Sequence, residues 1–478
     1  MSLKRKTIKG LFWSSLAQGW RQFSQVIILA ILARLLTPED FGLLAMATVF
    51  TEFSKFFGEM GIGYALIQKQ DIRDEHYNSA FWLIFFIGFF LAWVLILGSK
   101  YISYFYKEPR LRLILQVISI NFILGSIITV HQAILVRKME FKKLAIRDIT
   151  ATVISGISGI FLAFIGYGVW SLVYQLLIFN VLNIVLLWKF VQWRPQLRFS
   201  IIHIKDIFNF TANLTGFNII NYFSRNIDKL LIGKLLGSEA LGLYSLAYKL
   251  MLYPLQNISA VIGKVLFPAF SKIQNKLEKV RKAYLKMTEA ISLITFPMMV
   301  ALFAMAPEFI NIFLGTRWVA MTTVLRIFCI CGIFQAIAKN TGTIYLSQGR
   351  PDIQFKLQFL GTTIVTLSVL IGLRWGVNGV ALFYTLQTVF WAHLNFYIVN
   401  KLIHLSNRVF YSRLITPFCG ALLILVYIFS LKKFILLSPT FFLGFVFLSV
   451  CVIYFIFLLI SKEITIKNNK LIVSLLDG

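Results

Sequence analysis

Apolar stretches of roughly 20 residues, separated by short polar connections, recur from one end of the chain to the other. A helix of about that length crosses the hydrocarbon core of a bilayer. The pattern predicts about 14 spans, near 10–34, 41–66, 79–101, 113–136, 148–166, 168–188, 208–232, 240–266, 285–306, 321–346, 355–374, 378–400, 414–431 and 440–461. Several exceed what a bilayer requires, so tilted or protruding helices are expected. The fold class is an all-α integral membrane protein.

The stretch around residues 11–68 occurs twice. ARLLTPEDFGLLAMA (33–47) and GKLLGSEALGLYSLA (233–247) align with an offset of 200 and no gap. Leu35, Leu36, Glu39, Gly42, Leu43 and Ala47 recur as Leu235, Leu236, Glu239, Gly242, Leu243 and Ala247, and Arg34 is matched by Lys234. The helix before each copy carries a polar face. Ser14, Gln18, Arg21 and Gln25 are spaced to fall on one side of a helix, and so are Asn218, Asn221, Arg225 and Asp228. A chance echo between Leu-rich helices would not preserve the glycine, the acid and the base along with the leucines. Six spans separate the two starts. Six is even, so both copies enter the membrane in the same direction and are parallel repeats. The expected organisation is two six-helix lobes, residues 1–195 and 196–405, joined by the basic linker Lys189–Asp206. A helix pair with a tail, 406–478, has no counterpart.

Composition sharpens this reading. With 58% hydrophobic and 14% charged residues, the chain lies outside the soluble range. A net charge of +28 raises the possibility of nucleic acid, but there is no aromatic-basic stacking module and no recognition helix. Cytoplasmic loops rich in Lys and Arg explain the charge instead. The amino terminus, the even loops and the carboxyl terminus hold about 29 Lys/Arg and the odd loops about 10, which predicts that both termini are cytoplasmic. One outer loop, with Lys107, Arg110 and Arg112, dissents. The first apolar run is too long for a signal peptide, holds Arg21 and lacks a cleavage site. Cys329, Cys331, Cys419 and Cys451 sit in apolar segments and read as small buried hydrophobes. No GxxxxGK[ST] motif, ligand-spaced histidine cluster or Ser–His–Asp arrangement is evident. No catalytic residue, metal site or cofactor is therefore expected.

Charges inside the membrane carry the functional signal. Arg21, Lys55, Arg225, Lys229, Lys249, Lys264, Arg326 and Lys339 fall within predicted spans, against Glu52, Glu59, Asp228 and Glu289. Each ionised group at bilayer depth costs about 2.5–3.5 kcal/mol on the lenient scale. Lys264 and Lys339 lie where lysines snorkel to the interface. Lys55 sits one turn from both Glu52 and Glu59, as a structural ion pair would, and Asp228 stands similarly to Arg225. Arg21, in mid-span among Gln18, Gln22 and Gln25, has no acidic neighbour on its helix. The positive excess implies an anionic visitor. Gly156 and Gly159 suggest a close helix contact.

Four segments resemble the polysaccharide-transporter family: ARLLTPEDFGLLAMA, GIGYALIQK (61–69), VLFPAFSKIQNKLEKVRKAY (265–284) and QGRPDIQFK (348–356). The family includes exporters of colanic acid, teichuronic acid and O-units, within a superfamily shared with multidrug antiporters and the lipid II flippase. The resemblance covers about residues 1–460. It implies two six-helix lobes around a central basic cavity, often with two added helices. The implied activity is flipping of undecaprenyl-pyrophosphate-linked oligosaccharide across the bacterial cytoplasmic membrane by alternating access. Implied partners are that lipid-linked oligosaccharide, membrane lipid, a coupling cation (H+ or Na+), and a polysaccharide polymerase with its chain-length machinery.

The site expectation rests on helix position. Arg21, Lys55, Arg225, Lys229 and Lys249 would line the cavity and hold the pyrophosphate by charge-assisted bonds. Gln18, Gln25, Asn218 and Asn221 would meet sugar hydroxyls. Glu52, Glu59 and Asp228 would couple a cation or hold the bases in place. Three rivals stand beside this reading. A drug antiporter of the same superfamily would prefer an acidic cavity for cationic drugs. A membrane glycosyltransferase or polymerase needs a catalytic carboxylate or a large outer loop. A passive scaffold needs no intramembrane charge.

Overall fold

The computed structural model describes residues 3–52, 62–68, 71–201, 204, 222, 226–273, 276–434 and 438–461. Among them there are helices and no strand. Ten segments of the described residues are long and apolar enough to cross a membrane, one of them, Asp352–Leu402, of 51 residues. The chain divides into two compact units, Met1–Gly242 and Leu243–Gly478.

The first unit opens with α1 (Leu3–Leu35) and α2 (Pro38–Thr51). The junction is set by Thr37–Pro38–Glu39–Asp40. Proline fills the first helical turn, where its missing N–H costs nothing. The Thr37 N–H donates to Asp40 Oδ2 at 2.9 Å, and the Asp40 N–H donates to Thr37 Oγ1 at 3.3 Å, closing a capping box. Within the predicted second span, residues 53–61 lie outside the described residues; beyond them come a π turn at 62–63 and α3 (Tyr64–Gln68). There follow α4 (Asp74–Tyr106), α5 (Arg110–Ile118), α6 (Ile120–Arg137), α7 (Phe141–Phe164) and α8 (Val169–Phe190). The predicted fourth span is one apolar segment, Arg110–Arg137, with a single turn at Ser119, whose hydroxyl donates to the Gln116 carbonyl at 2.6 Å.

α4 shows how such a chain packs when lipid is the solvent. Phe86, Phe90, Trp93, Leu97, Tyr101 and Tyr104 form a helical stripe of exposed side chains, which water would punish and acyl chains do not. The buried stripe carries Ala80, Ile84, Gly88 and Ala92. A Cβ added to Gly88 would lie 2.6 Å from the Phe122 carbonyl oxygen of α6. Small residues let backbones approach, and van der Waals contact rather than expulsion of water holds them there. Gly156 of α7 does the same against Ile28 of α1, and Gly159 against Gln175 of α8, as the sequence suggested. Buried hydroxyls satisfy themselves on their own helices, as Ser126 does on the Ile123 carbonyl and Thr129 on that of Gly125.

The linker after α8 is not slack. The Gln196 N–H donates to Asn78 Oδ1 at 2.8 Å and the Ser200 N–H to Ser79 Oγ at 3.0 Å. Trp82 Nε1 donates to the Gln196 carbonyl at 2.8 Å. Asn78 and Ser79 are buried polar groups on α4, so the strap satisfies them and is held by them. The following long helix, α9 (Ile227–Ile273), is two helices joined at Gly237, which takes φ 89 and ψ −179. That break falls where the sequence separates its seventh and eighth spans.

The second unit contains the rest of α9, α10 (Leu277–Ala304), α11 (Thr322–Ala338), α12 (Thr341–Ser347), α13 (Pro351–Gly372), α14 (Gly376–Leu402), α15 (Asn407–Phe434) and α16 (Pro439–Ile460). α13 and α14 reverse tightly. A Cβ on Gly379 would lie 2.3 Å from the Gly372 carbonyl oxygen, so only glycine fits. The appended pair packs on α10: Ala304, Met305, Ile424, Ile428, Phe442 and Val446 form one cluster. Pro297 lies inside α10 and has no N–H to give the Leu293 carbonyl. Tyr454 of α16 supplies that bond at 2.6 Å.

Many cations prove to be helix caps. Lys143 donates to the last carbonyl of α8, Phe190, at 3.4 Å; Arg281 to Ile403 at 2.6 Å; and Arg137 to Leu66 of α3 at 3.2 Å. Cations at carboxyl ends meet the negative pole of the helix dipole and its orphan carbonyls. The dissenting loop is partly neutralised, since Arg110 is held by Glu39 and Glu108. The cysteine expectation holds for only half of the set: Cys329 and Cys331 are buried, while Cys419 and Cys451 are exposed on α15 and α16. Their helices belong to the peripheral pair, whose outer faces have only lipid to meet.

Candidate functional site

The first polar stripe lies on α1. Gln18 and Gln25 are exposed and Arg21 is half-buried. Arg21 Nη2 donates to Gln18 Oε1 at 2.7 Å. An i−3 amide orients the guanidinium without neutralising it, and among the described residues no carboxylate pairs with it. The rest of its fork stays available.

The second stripe enters through Tyr222 and the start of α9. Tyr222 donates toward the Val49 carbonyl at 3.0 Å and that of Thr48 at 3.3 Å, at the end of α2. The Thr48 carbonyl also accepts the Glu52 N–H at the end of α2. Asn226 is buried; its amide donates to the Tyr222 carbonyl at 2.9 Å, and its Oδ1 accepts from Lys229 Nζ at 2.9 Å. Lys229 thus repeats the chemistry of Arg21, a cation steered by an amide three residues earlier. Asp228 is buried, and its Oδ1 accepts the Lys229 N–H at 2.8 Å. Glu52 is exposed at the end of α2. Lys55, Glu59, Asn218, Asn221 and Arg225 lie outside the described residues.

The second unit carries Lys249, exposed, with its ammonium 5.9 Å from the Tyr253 ring. Beside it stands a cluster that the sequence reading did not single out. The hydroxyls of Tyr248 and Tyr384 are 3.1 Å apart, and Gln335 Nε2 lies 3.5 and 3.4 Å from them. Three helices supply those groups. The only signal for it in the sequence is a lone Gln335 in the apolar run CICGIFQAIAK, and helical spacing does not pair it with Tyr248 or Tyr384. Tyr222 was missed for the same reason, because only folding brings it to the Thr48 and Val49 carbonyls; Asn226, whose partners Tyr222 and Lys229 are four and three residues away, was legible by helical spacing and was not singled out.

Other intramembrane charges separate into structural roles. Arg326 Nε donates to Phe303 at 3.4 Å and Lys432 Nζ to Ala304 at 2.7 Å, together capping α10. Lys432 also pairs with Glu308 at 2.7 Å. Glu289 faces Arg413 of α15 at 3.7 Å. Lys339 is exposed. Arg147 is buried and held by Asp148 at 2.6 Å and Gln132 at 2.8 Å. Removing caps and pairs leaves Arg21 and Lys229 as cations in the first unit steered by neutral amides. Among the described residues no three His, Cys, Asp or Glu gather as a metal would need.

The chain has relatives. The teichuronic acid biosynthesis protein TuaB of Bacillus subtilis is 28% identical over 404 residues, 84% of this chain and 82% of its own. The lipopolysaccharide biosynthesis protein WzxC of Escherichia coli is 28% identical over 443 residues, 90% of this chain and 88% of its own. Among solved structures, lipid II flippase MurJ in an inward closed conformation superposes with a TM-score of 0.74 at 15% identity, covering 95% of this chain and 99% of that one. The fold is therefore that of this class of membrane transporter. The model of the polysaccharide biosynthesis protein family matches residues 31–323, more than half of the chain, and the chain belongs to that family.

Proposed function

We propose that the chain flips oligosaccharide units carried on undecaprenyl pyrophosphate across the bacterial cytoplasmic membrane, for assembly of a capsule, exopolysaccharide or O-antigen. The observation that carries this reading is Arg21, a guanidinium midway along α1, bonded to a neutral amide and half-exposed. A half-buried cation at membrane depth without a carboxylate is stable only if an anion or water meets it. A lipid pyrophosphate supplies two adjacent anionic groups whose geometry suits a fork. Lys229 supplies a second charge, and Lys55 and Arg225 are assigned to the same role. Gln18, Gln25, Asn218 and Asn221 are assigned to sugar hydroxyls, and Lys249 remains a candidate carried by its own unit. Glu52, Glu59 and Asp228 orient the bases or couple H+ or Na+.

Relatives named for teichuronic acid and lipopolysaccharide biosynthesis, and one named a succinoglycan biosynthesis transport protein, support the cargo class. Both termini face the cytoplasm in this reading, in keeping with the basic even loops. The repeat lobes, 1–195 and 196–405, alternate access while the appended helix pair stays in lipid. Polymerase and chain-length machinery act on the product.

The test is to deplete the protein and locate the lipid-linked oligosaccharide. Trapping on the cytoplasmic leaflet is the expected result. Normal outward display with altered polymer length would place the chain after flipping and overturn the proposal.

A further inference from the structure

Three helices of the second unit bring neutral polar groups together at membrane depth. Tyr248 comes from α9 beyond Gly237, Gln335 from α11 and Tyr384 from α14, each inside a segment long and apolar enough to cross a membrane. The two hydroxyls are 3.1 Å apart, and Gln335 Nε2 points to them from 3.5 and 3.4 Å. Both distances are longer than an ordinary amide hydrogen bond. Among the described residues nothing donates to Gln335 Oε1. An amide at this depth is costly unless its oxygen is met, so the cluster calls for a donor that the fold itself does not bring.

The backing of the cluster is rigid. Phe328 is fully buried and packs edge-on against the Tyr248 and Tyr384 rings, with centroids 5.3 and 6.1 Å away. Tyr244, also buried, lies parallel to Tyr248 at 6.4 Å. Rings packed in this way hold their polar tips in fixed directions. Tyr248, Gln335 and Tyr384 are themselves half-buried. Lipid is not what they meet. The exposed apolar side chains Leu382 and Leu386 stand on the opposite side of α14 from Tyr384, and exposed Ile330 stands on the opposite side of α11 from Gln335.

The chemistry of the three groups selects a ligand. No Asp or Glu lies within two helical turns of any of them along the chain, while Lys249 follows Tyr248 and Lys339 stands one turn beyond Gln335. A hard cation would find no carboxylate there and would meet positive charge. An apolar ligand would leave the amide oxygen unmet. Neighbouring hydroxyls on a sugar ring both donate and accept, and so do a phenol and an amide.

We propose that Tyr248, Gln335 and Tyr384 form a subsite for the sugar hydroxyls of the carried glycan, recognising the sugar and not its lipid anchor. The assignment rests on the transport reading, which supplies the sugar. Because the groups are held by Phe328 and Tyr244 before any ligand arrives, little ordering is needed on binding.

The test uses the full chain purified in detergent and two probes: lipid-linked oligosaccharide extracted from the bacterium's membranes, and undecaprenyl pyrophosphate, which carries no sugar. Affinities are measured for the parent, Tyr384→Phe and Gln335→Leu, with the melting temperature as the check on folding. The parent should bind the glycosylated lipid about tenfold tighter than the bare one. Each variant should lose about fivefold of that preference, as the loss of one hydrogen bond predicts, and should bind the bare lipid as the parent does. Tyr384→Phe keeps its ring on Phe328, so it decides the matter alone if Gln335→Leu melts early. Parent-level preference in Tyr384→Phe and in folded Gln335→Leu, or a parent that binds both lipids alike, overturns the subsite and leaves the transport proposal standing. A parent that binds neither lipid overturns the transport proposal and the subsite with it. Stabilisation of the parent by Na+ over choline, abolished in Tyr384→Phe, would make the cluster a cation site and overturn its assignment to sugar.

Discussion

Gln18→Glu offers a sharper test of the anion site than removing a base. The two side chains have the same shape, and Gln18 Oε1 already sits 2.7 Å from Arg21 Nη2. The substitution therefore keeps the arginine in place and adds a carboxylate. A phosphate on the free edge of the guanidinium would stand about 6 Å from that carboxylate. With an effective dielectric of about 20, two unit charges at that distance repel by about 3 kcal/mol. At about 1.4 kcal/mol per factor of ten, binding of the lipid pyrophosphate should weaken about 100-fold. The neutral control Gln18→Met, which loses the amide and adds no charge, should weaken export only severalfold. Both variants should reach the membrane in normal amount, because Gln18 is exposed and makes one local bond. The assay is the rate at which lipid-linked oligosaccharide becomes accessible to an outer-face probe, normalised to protein in the membrane. Parent-level export by Gln18→Glu would refute the assignment of Arg21 to the pyrophosphate.

Arg147→Ala should behave in the opposite way. It removes a buried cation and leaves Asp148 and Gln132 without it, which costs about 3–5 kcal/mol and should appear as loss of folded protein rather than as slow export. Asn226→Asp should give Lys229 a carboxylate in place of its amide and reduce export while thermal stability is kept. Tyr454→Phe leaves the Leu293 carbonyl beside Pro297 without its donor, at about 1–3 kcal/mol. Its unfolding temperature in detergent should fall while export per folded molecule stays at the parent value. Lys432→Met should destabilise by a similar amount, since it strands the half-buried Glu308 and uncaps α10. The double change Glu308→Gln, Lys432→Met should recover much of that stability in the same melting assay.

These predictions divide the cations by what they touch, which composition cannot do. The excess of Lys and Arg reads from the sequence as an expectation of basic loops on one side of a membrane. That Lys143, Arg281 and Arg137 cap the ends of neighbouring helices was not legible there, because the carbonyl that each meets belongs to another element. Arg326 reads from sequence as an intramembrane charge of the same standing as Arg21. In the fold it caps α10 from one turn inside its neighbour. Arg21 differs in that its partner is local, three residues away on the same helix.

Periodicity and length, properties of the chain itself, determined the membrane class, the approximate spans and the duplication. A bilayer imposes one helix length on every crossing, and a repeat keeps its residues in register whatever the fold does. The sequence also marked Gly42 and Gly242 as equivalent. Only the tertiary structure decided that they meet, and that each lies on the carbonyl four residues before the other. It likewise decided that the linker is strapped to Asn78 and Ser79, and that Tyr248, Gln335 and Tyr384 converge from three helices. Contacts of this kind depend on how helices cross in the membrane. The apolar faces that set those crossings carry almost no positional code, since lipid accepts any of them, and small residues, orphan carbonyls and lone amides choose the partner only when the helices are already side by side.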